Sequence, residues 1–82
     1  MALQTTSTDI KEFKKKNDYS IEAYMGSKKT NHMAFVHKIT TYVAYLEKNN
    51  IEWSVINVYA RRTKRFIRRF YKDRDIIPVR VE

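Results

Sequence analysis

Cysteine is absent from this 82-residue chain, which excludes disulfides, thiolate metal centres and cysteine nucleophiles. Glycine and proline occur once each, so few residues are available to punctuate tight turns; a many-stranded sheet is disfavoured and helices are expected. No apolar run approaches the roughly 20 residues that span a bilayer, so no transmembrane segment is expected. Met1 to Ser7 lacks both the apolar stretch of a secretory signal and the arginine enrichment of a transit peptide. These features read as a soluble, intracellular protein. There is no phosphate-cradling glycine loop, no nucleophile paired with a base and no catalytic carboxylate pair, so no enzyme and no cofactor are expected. His32 and His37 would stand about 140° apart on a helix, which spoils them as a metal pair.

Acidic residues are scarce as well. Nine Asp and Glu face seventeen Lys and Arg, giving a net charge of +8. Such an excess attracts a polyanion or an anionic surface. The length admits one compact domain with a modest core.

Along the chain, residues 1–8 read as a flexible N-terminal arm, 9–75 as a single helical domain and 76–82 as an extended C-terminal tail. Asp9 and Glu12 resemble a capping box for a short helix carrying Ile10 and Phe13 into Lys14, Lys15 and Lys16. Ser20 is suited to cap a second short turn with Ile21 and Tyr24, and Gly26 to end it in a left-handed conformation. A helix over Asn31–Asn49 gathers Phe35, Val36, Ile39, Tyr42, Val43 and Leu46 on one arc of about 120°, leaving Met33 and Ala44 on the polar side. Asn49 and Asn50 close it. Ser54 can cap a further helix reaching Lys72. On that wheel Val55, Ile56, Tyr59, Ala60, Phe66, Ile67, Phe70 and Tyr71 share one side, and only Val58 breaks the division. After Asp75, the β-branched residues around Pro78 suggest an extended tail able to pair with a protein partner. The expected architecture is all-α, a small bundle of three to four helices.

The opposite side of the 54–72 segment carries the main functional signal: Arg61, Arg62, Lys64, Arg65, Arg68, Arg69 and Lys72, with no acidic residue between Ser54 and Lys72. Like charges three and four apart repel on a helix. A phosphate backbone would relieve that repulsion, and five of the seven are Arg, suited to bidentate grip. The plain alternative is a solvated face; such a face more often mixes in glutamate. Lys28 and Lys29 read more simply as solvated. Among aromatics, Tyr45 and Trp53 are the candidates for stacking on bases, whereas Tyr42, Tyr59 and Tyr71 read as core.

The succession Thr30, FVHKITTYVAYLEKNNI, then SVINVYARRTKRFIRRFYKDRDIIP resembles the core-binding, SAM-like domain of tyrosine recombinases (phage integrases) over about Thr30 to Pro78. That resemblance implies a small helical bundle that clamps duplex DNA, with Arg61, Arg62, Lys64, Arg65, Arg68 and Arg69 at the matching basic positions. The sequence carries no counterpart of the family's catalytic domain, so recombinase chemistry would reside in another chain. The expected function is non-enzymatic nucleic-acid binding, with duplex DNA as the expected partner and DNA favoured over RNA, through phosphate contacts from the Arg-rich face of the 54–72 helix. The alternatives are a structural subunit of an RNA-protein assembly and a basic amphipathic adaptor for a protein or an anionic membrane.

Overall fold

A computed structural model describes residues 17–81. Five elements follow one another: β1 (Tyr19–Met25), β2 (Lys28–Val36), α1 (Ile39–Lys48), β3 (Val55–Ala60) and β4 (Phe66–Tyr71). The strands form a single sheet in the order β2-β1-β3-β4, and every neighbouring pair is antiparallel. The all-α bundle expected from sequence is therefore corrected, among the described residues, to a four-stranded sheet with one short helix. The expected helix over 54–72 is the β3–β4 hairpin, and the expected helix over 31–49 is strand up to Val36 and helix only from Ile39. Thr30 to Pro78 thus does not form the bundle that the recombinase resemblance implies. The arm over 1–8 and the helix starting at Asp9 lie outside the described residues.

Alternation explains the strands. In β1, Tyr19, Ile21 and Ala23 are buried while Ser20, Glu22 and Tyr24 lie on the other face, the period of two that a half-buried strand requires. Ile56 and Val58 of β3 pair with Ala23 and Ile21 on the inward side, and Phe70 of β4 pairs with Ile56. Ile39, Tyr42 and Leu46 of α1, spaced three and four apart, join these residues in one core. Fully burying each such side chain contributes about 1.5–3 kcal/mol. Of the apolar arc expected for the 31–49 helix, Val36, Ile39, Tyr42 and Leu46 are buried; Phe35 is 63% exposed.

The turns are made with little glycine. Gly26, at a φ of 64°, opens the two-residue β1–β2 loop, a position that needs the left-handed region. The residues 61–65 reverse the chain between β3 and β4 with Lys64 itself at a φ of 62°; the Lys64 amide donates to the Ala60 carbonyl at 2.7 Å, and the Ala60 amide to the Arg65 carbonyl at 2.8 Å. The end of α1 is a Schellman motif. Asn50 is left-handed at 57°, the Ile51 amide donates to the Leu46 carbonyl at 2.9 Å and the Asn50 amide to the Glu47 carbonyl at 3.2 Å.

The C-terminal residues fold back on the domain. The Ile39 amide, first of α1, donates to the Val79 carbonyl at 2.7 Å, where no side chain caps the helix. The Tyr19 hydroxyl donates to the Val81 carbonyl at 2.6 Å and accepts from the Val81 amide at 2.9 Å. Arg80 bonds the Asp18 carboxylate and the His37 carbonyl, and its guanidinium lies 4.9 Å from the centre of the Tyr19 ring. Ile77 and Val81 pack against the core.

Candidate nucleic-acid interface

With α1 and the C-terminal residues on one side of the sheet, the strand residues that point the other way form a face left open among the described residues. Register places them in three rows across the strands. The first is Lys29, Tyr24, Val55 and Tyr71; the second is His32, Glu22, Asn57 and Arg69; the third holds Ser20, Tyr59 and Phe66. Two aromatic rows thus flank a polar one. The Tyr59 and Phe66 rings meet edge to face at 5.7 Å, and Phe66 is 49% exposed.

Glu22 ties the rows together. Its Oε1 accepts from the hydroxyls of Tyr24 and Tyr59, both at 3.3 Å, and its Oε2 lies 3.3 Å from Lys29 Nζ. Burial, and then the Glu22 charge, push the Tyr59 phenol above its ordinary value. At the far edge a hydrogen bond from Arg69 lowers the Tyr71 phenol, aided by the charges of Arg69 and Arg74, whose guanidinium lies 4.2 Å from the ring centre. Ser20 Oγ and His32 Nε2 are 3.1 Å apart. Asn57 Oδ1 accepts from Arg69 Nε at 2.8 Å.

The seven cations picked out by sequence do not share one surface, because the helix that would align them is a hairpin. Arg62, Lys64 and Arg65 are exposed in the β3–β4 connection, with no carboxylate partner among the described residues. Arg61 leads into it, bonded to the Asn17 carbonyl and 5.1 Å from the centre of the Phe35 ring. Arg61 and Lys64 border a hollow of about 510 Å³ on the open face, shared with Ser20, Glu22, His32 and Tyr59. Arg69 belongs to the open face. Arg68 and Lys72 do not: Arg68 pairs with inward Val58, 4.7 Å from the Phe70 ring centre and 4.0 Å from Asp75. Lys72 sits 3.4 Å from Glu47 and 5.3 Å from the Trp53 ring centre.

The aromatic assignments also change. Trp53 is 3% exposed, its indole N–H donates to Glu47 Oε2 at 3.0 Å, and it cannot stack on a base. Tyr45 is exposed on α1, stacked on Tyr42, on the helix side of the sheet. The rings that the register puts on the open face are Tyr24, Tyr59, Phe66 and Tyr71, and the exposed Phe35 lines the hollow beside Tyr59. Their one signal in the sequence is the alternation of β1 and β3, which a helical wheel conceals. Lys28 and Lys29 begin β2, with Lys29 paired to Glu22; Lys14, Lys15 and Lys16 lie outside the described residues.

Among the described residues no helix is long and apolar enough to cross a membrane, and no three potential ligands cluster to hold a metal ion. No family profile, curated protein or solved structure matches the chain.

Proposed function

We propose that the domain is a non-enzymatic nucleic-acid-binding module that holds single-stranded RNA or DNA on the open face of its sheet. The observation that carries this reading is the grouping of Tyr24, Tyr59, Phe66 and Tyr71 on the face of the sheet opposite α1, at whose rim Arg62, Lys64 and Arg65 have no carboxylate partner among the described residues. Rings supply stacking surfaces that any base can use, and cations gain from releasing the counterions of phosphates. A solvated sheet face would satisfy the same alternation with small polar residues and would not place aromatics in two rows. Single strands are favoured over duplex because stacking needs bases splayed out of a helix, and among the described residues no basic helix is present to enter a major groove.

Fluorescence anisotropy with labelled single strands and a duplex of equal length, at several salt concentrations, tests the reading. Single strands bind more tightly, with affinity falling by about 0.7 log units per log unit of salt for each phosphate engaged. Tyr59→Ala and Phe66→Ala each weaken binding by about 1–3 kcal/mol while leaving the far-UV circular dichroism intact. Preference for duplex, or indifference to both substitutions, refutes it.

A further inference from the structure

The middle row of the open face departs from what a purely electrostatic surface for a polyanion would contain. Glu22 is the only acidic residue in the four strands, and it sits in the centre of the sheet, where it repels phosphate. Its register partner across β1 and β3 is Asn57, 7% exposed although it points to the open face. An Nε–H can only donate, so the bond from Arg69 fixes the amide oxygen of Asn57 toward β4 and turns its NH2 away. Among the described residues that NH2 has no acceptor, and buried donors are rarely left so. A carboxylate and an outstretched amide donor therefore stand side by side, roughly 5 Å apart at the backbone, between two rows of rings.

We propose that Glu22 and Asn57 read the Watson–Crick edge of a guanine lying over the middle row. This rests on the nucleic-acid reading above and narrows it to strands that present a guanine. Guanine offers an acceptor, O6, next to two adjacent donors, N1–H and N2–H. Asn57 Nδ2 donates to O6, and the two oxygens of the Glu22 carboxylate accept from N1–H and N2–H. No other base fits the pair as fully. Uracil and thymine place one donor between two acceptors, cytosine has one donor beside two acceptors, and adenine has one donor beside one acceptor, so each leaves a carboxylate oxygen without a donor or facing a lone pair. The bonds that Tyr24 and Tyr59 now make to Oε1 are long, at 3.3 Å, and yield to the shorter charge-assisted contacts of a base. The hollow that Glu22 shares with Tyr59, Arg61 and Lys64 leaves room for the attached ribose phosphate, with Arg61 and Lys64 as the cations that meet it.

The test uses four labelled octanucleotides, all uracil or with one central guanine, adenine or cytosine, titrated against the full chain and Glu22→Gln. The guanine octamer binds about tenfold or more tighter than the others, and Glu22→Gln brings the four within about threefold of one another. Competition by free GMP, AMP, CMP and UMP against the wild-type complex needs no variant, and GMP displaces the label best. Equal binding of all four octamers, or a guanine preference that survives Glu22→Gln in a folded variant, overturns base reading while leaving the nucleic-acid function standing. Binding of none of them overturns both.

Discussion

Phe66 and Phe70 are four residues apart, and a helix would bury both on one face, whereas the register shift between Val58 and Tyr59 in the β3–β4 pairing puts them on opposite faces. Phe70 is 1% exposed within the core, so Phe70→Ala should cost about 3–5 kcal/mol. At about 0.05–0.15 kcal/mol per residue the whole chain of 82 residues has about 4–12 kcal/mol, so this one loss is a large share of the total. Phe66 is 49% exposed. Half-burial of a phenylalanine contributes about 1 kcal/mol, and its edge-to-face contact with Tyr59 adds about 0.5–1 kcal/mol. Phe66→Ala should therefore cost about 1–2 kcal/mol, some 2–3 kcal/mol less than Phe70→Ala. Urea denaturation followed by the fluorescence of Trp53, the only tryptophan, and by circular dichroism reads both. With a urea slope of about 1 kcal/mol per molar, the midpoints should differ by roughly 2 M or Phe70→Ala should fail to fold. Equal losses for the two variants would refute the sheet as described.

Three further outcomes are expected. The Trp53 indole N–H, followed by the charge and hydrogen bond of Lys72, holds the Glu47 carboxyl below its ordinary value of 4.5; the stabilisation is present at neutral pH and is lost as pH falls through that lowered value. Trp53 fluorescence should therefore show an acid transition with a midpoint below 4.5 that Glu47→Gln abolishes, and a midpoint at or above 4.5 contradicts the contact. Lys64→Gly relieves a left-handed backbone at a residue with a Cβ, so it should raise stability by about 1 kcal/mol, or about 4–8 °C in melting temperature, while weakening nucleic-acid binding; an unchanged melting temperature counts against the turn. Deleting residues 76–82 removes the partners of Ile39 and Tyr19 and the apolar cover of Ile77 and Val81; a loss of at least about 3 kcal/mol in thermal or urea unfolding is expected, and an unaltered transition contradicts the docked arrangement.

Much of the core was legible from residue types: Val36, Ile39, Tyr42 and Leu46 stand inside as their spacing suggested, and Asn49 and Asn50 do close α1. The secondary structure around them was not, and two residues carried the warning. Val58, Met33 and Ala44 were the misfits of their helical wheels; in the sheet Val58 is fully buried and Met33 faces inward opposite Ile21, while Ala44 stays exposed on α1. An apolar residue on the wrong side of a period of 3.6 is at home in a period of two, and the β-branched and aromatic content of 55–71 favours strands. The decisive obstacle was the connection over 61–65, which turns without glycine or proline and so left no punctuation between β3 and β4. Ser54, suited to cap a helix, instead accepts from the Gly26 amide at 3.1 Å and so helps hold the β1–β2 loop. The positive charge of the proposed interface was therefore visible in the sequence, but its aromatic half depended on strand register that the wheel could not supply.

The bond between Tyr19 and Val81 joins residues 62 positions apart, and Val79 completes the first turn of the helix. During synthesis, the opening strand emerges from the ribosome long before its last partner exists. The finished core must therefore wait for residue 81, and until then Tyr19 and the start of the helix stay open to water and to chaperones.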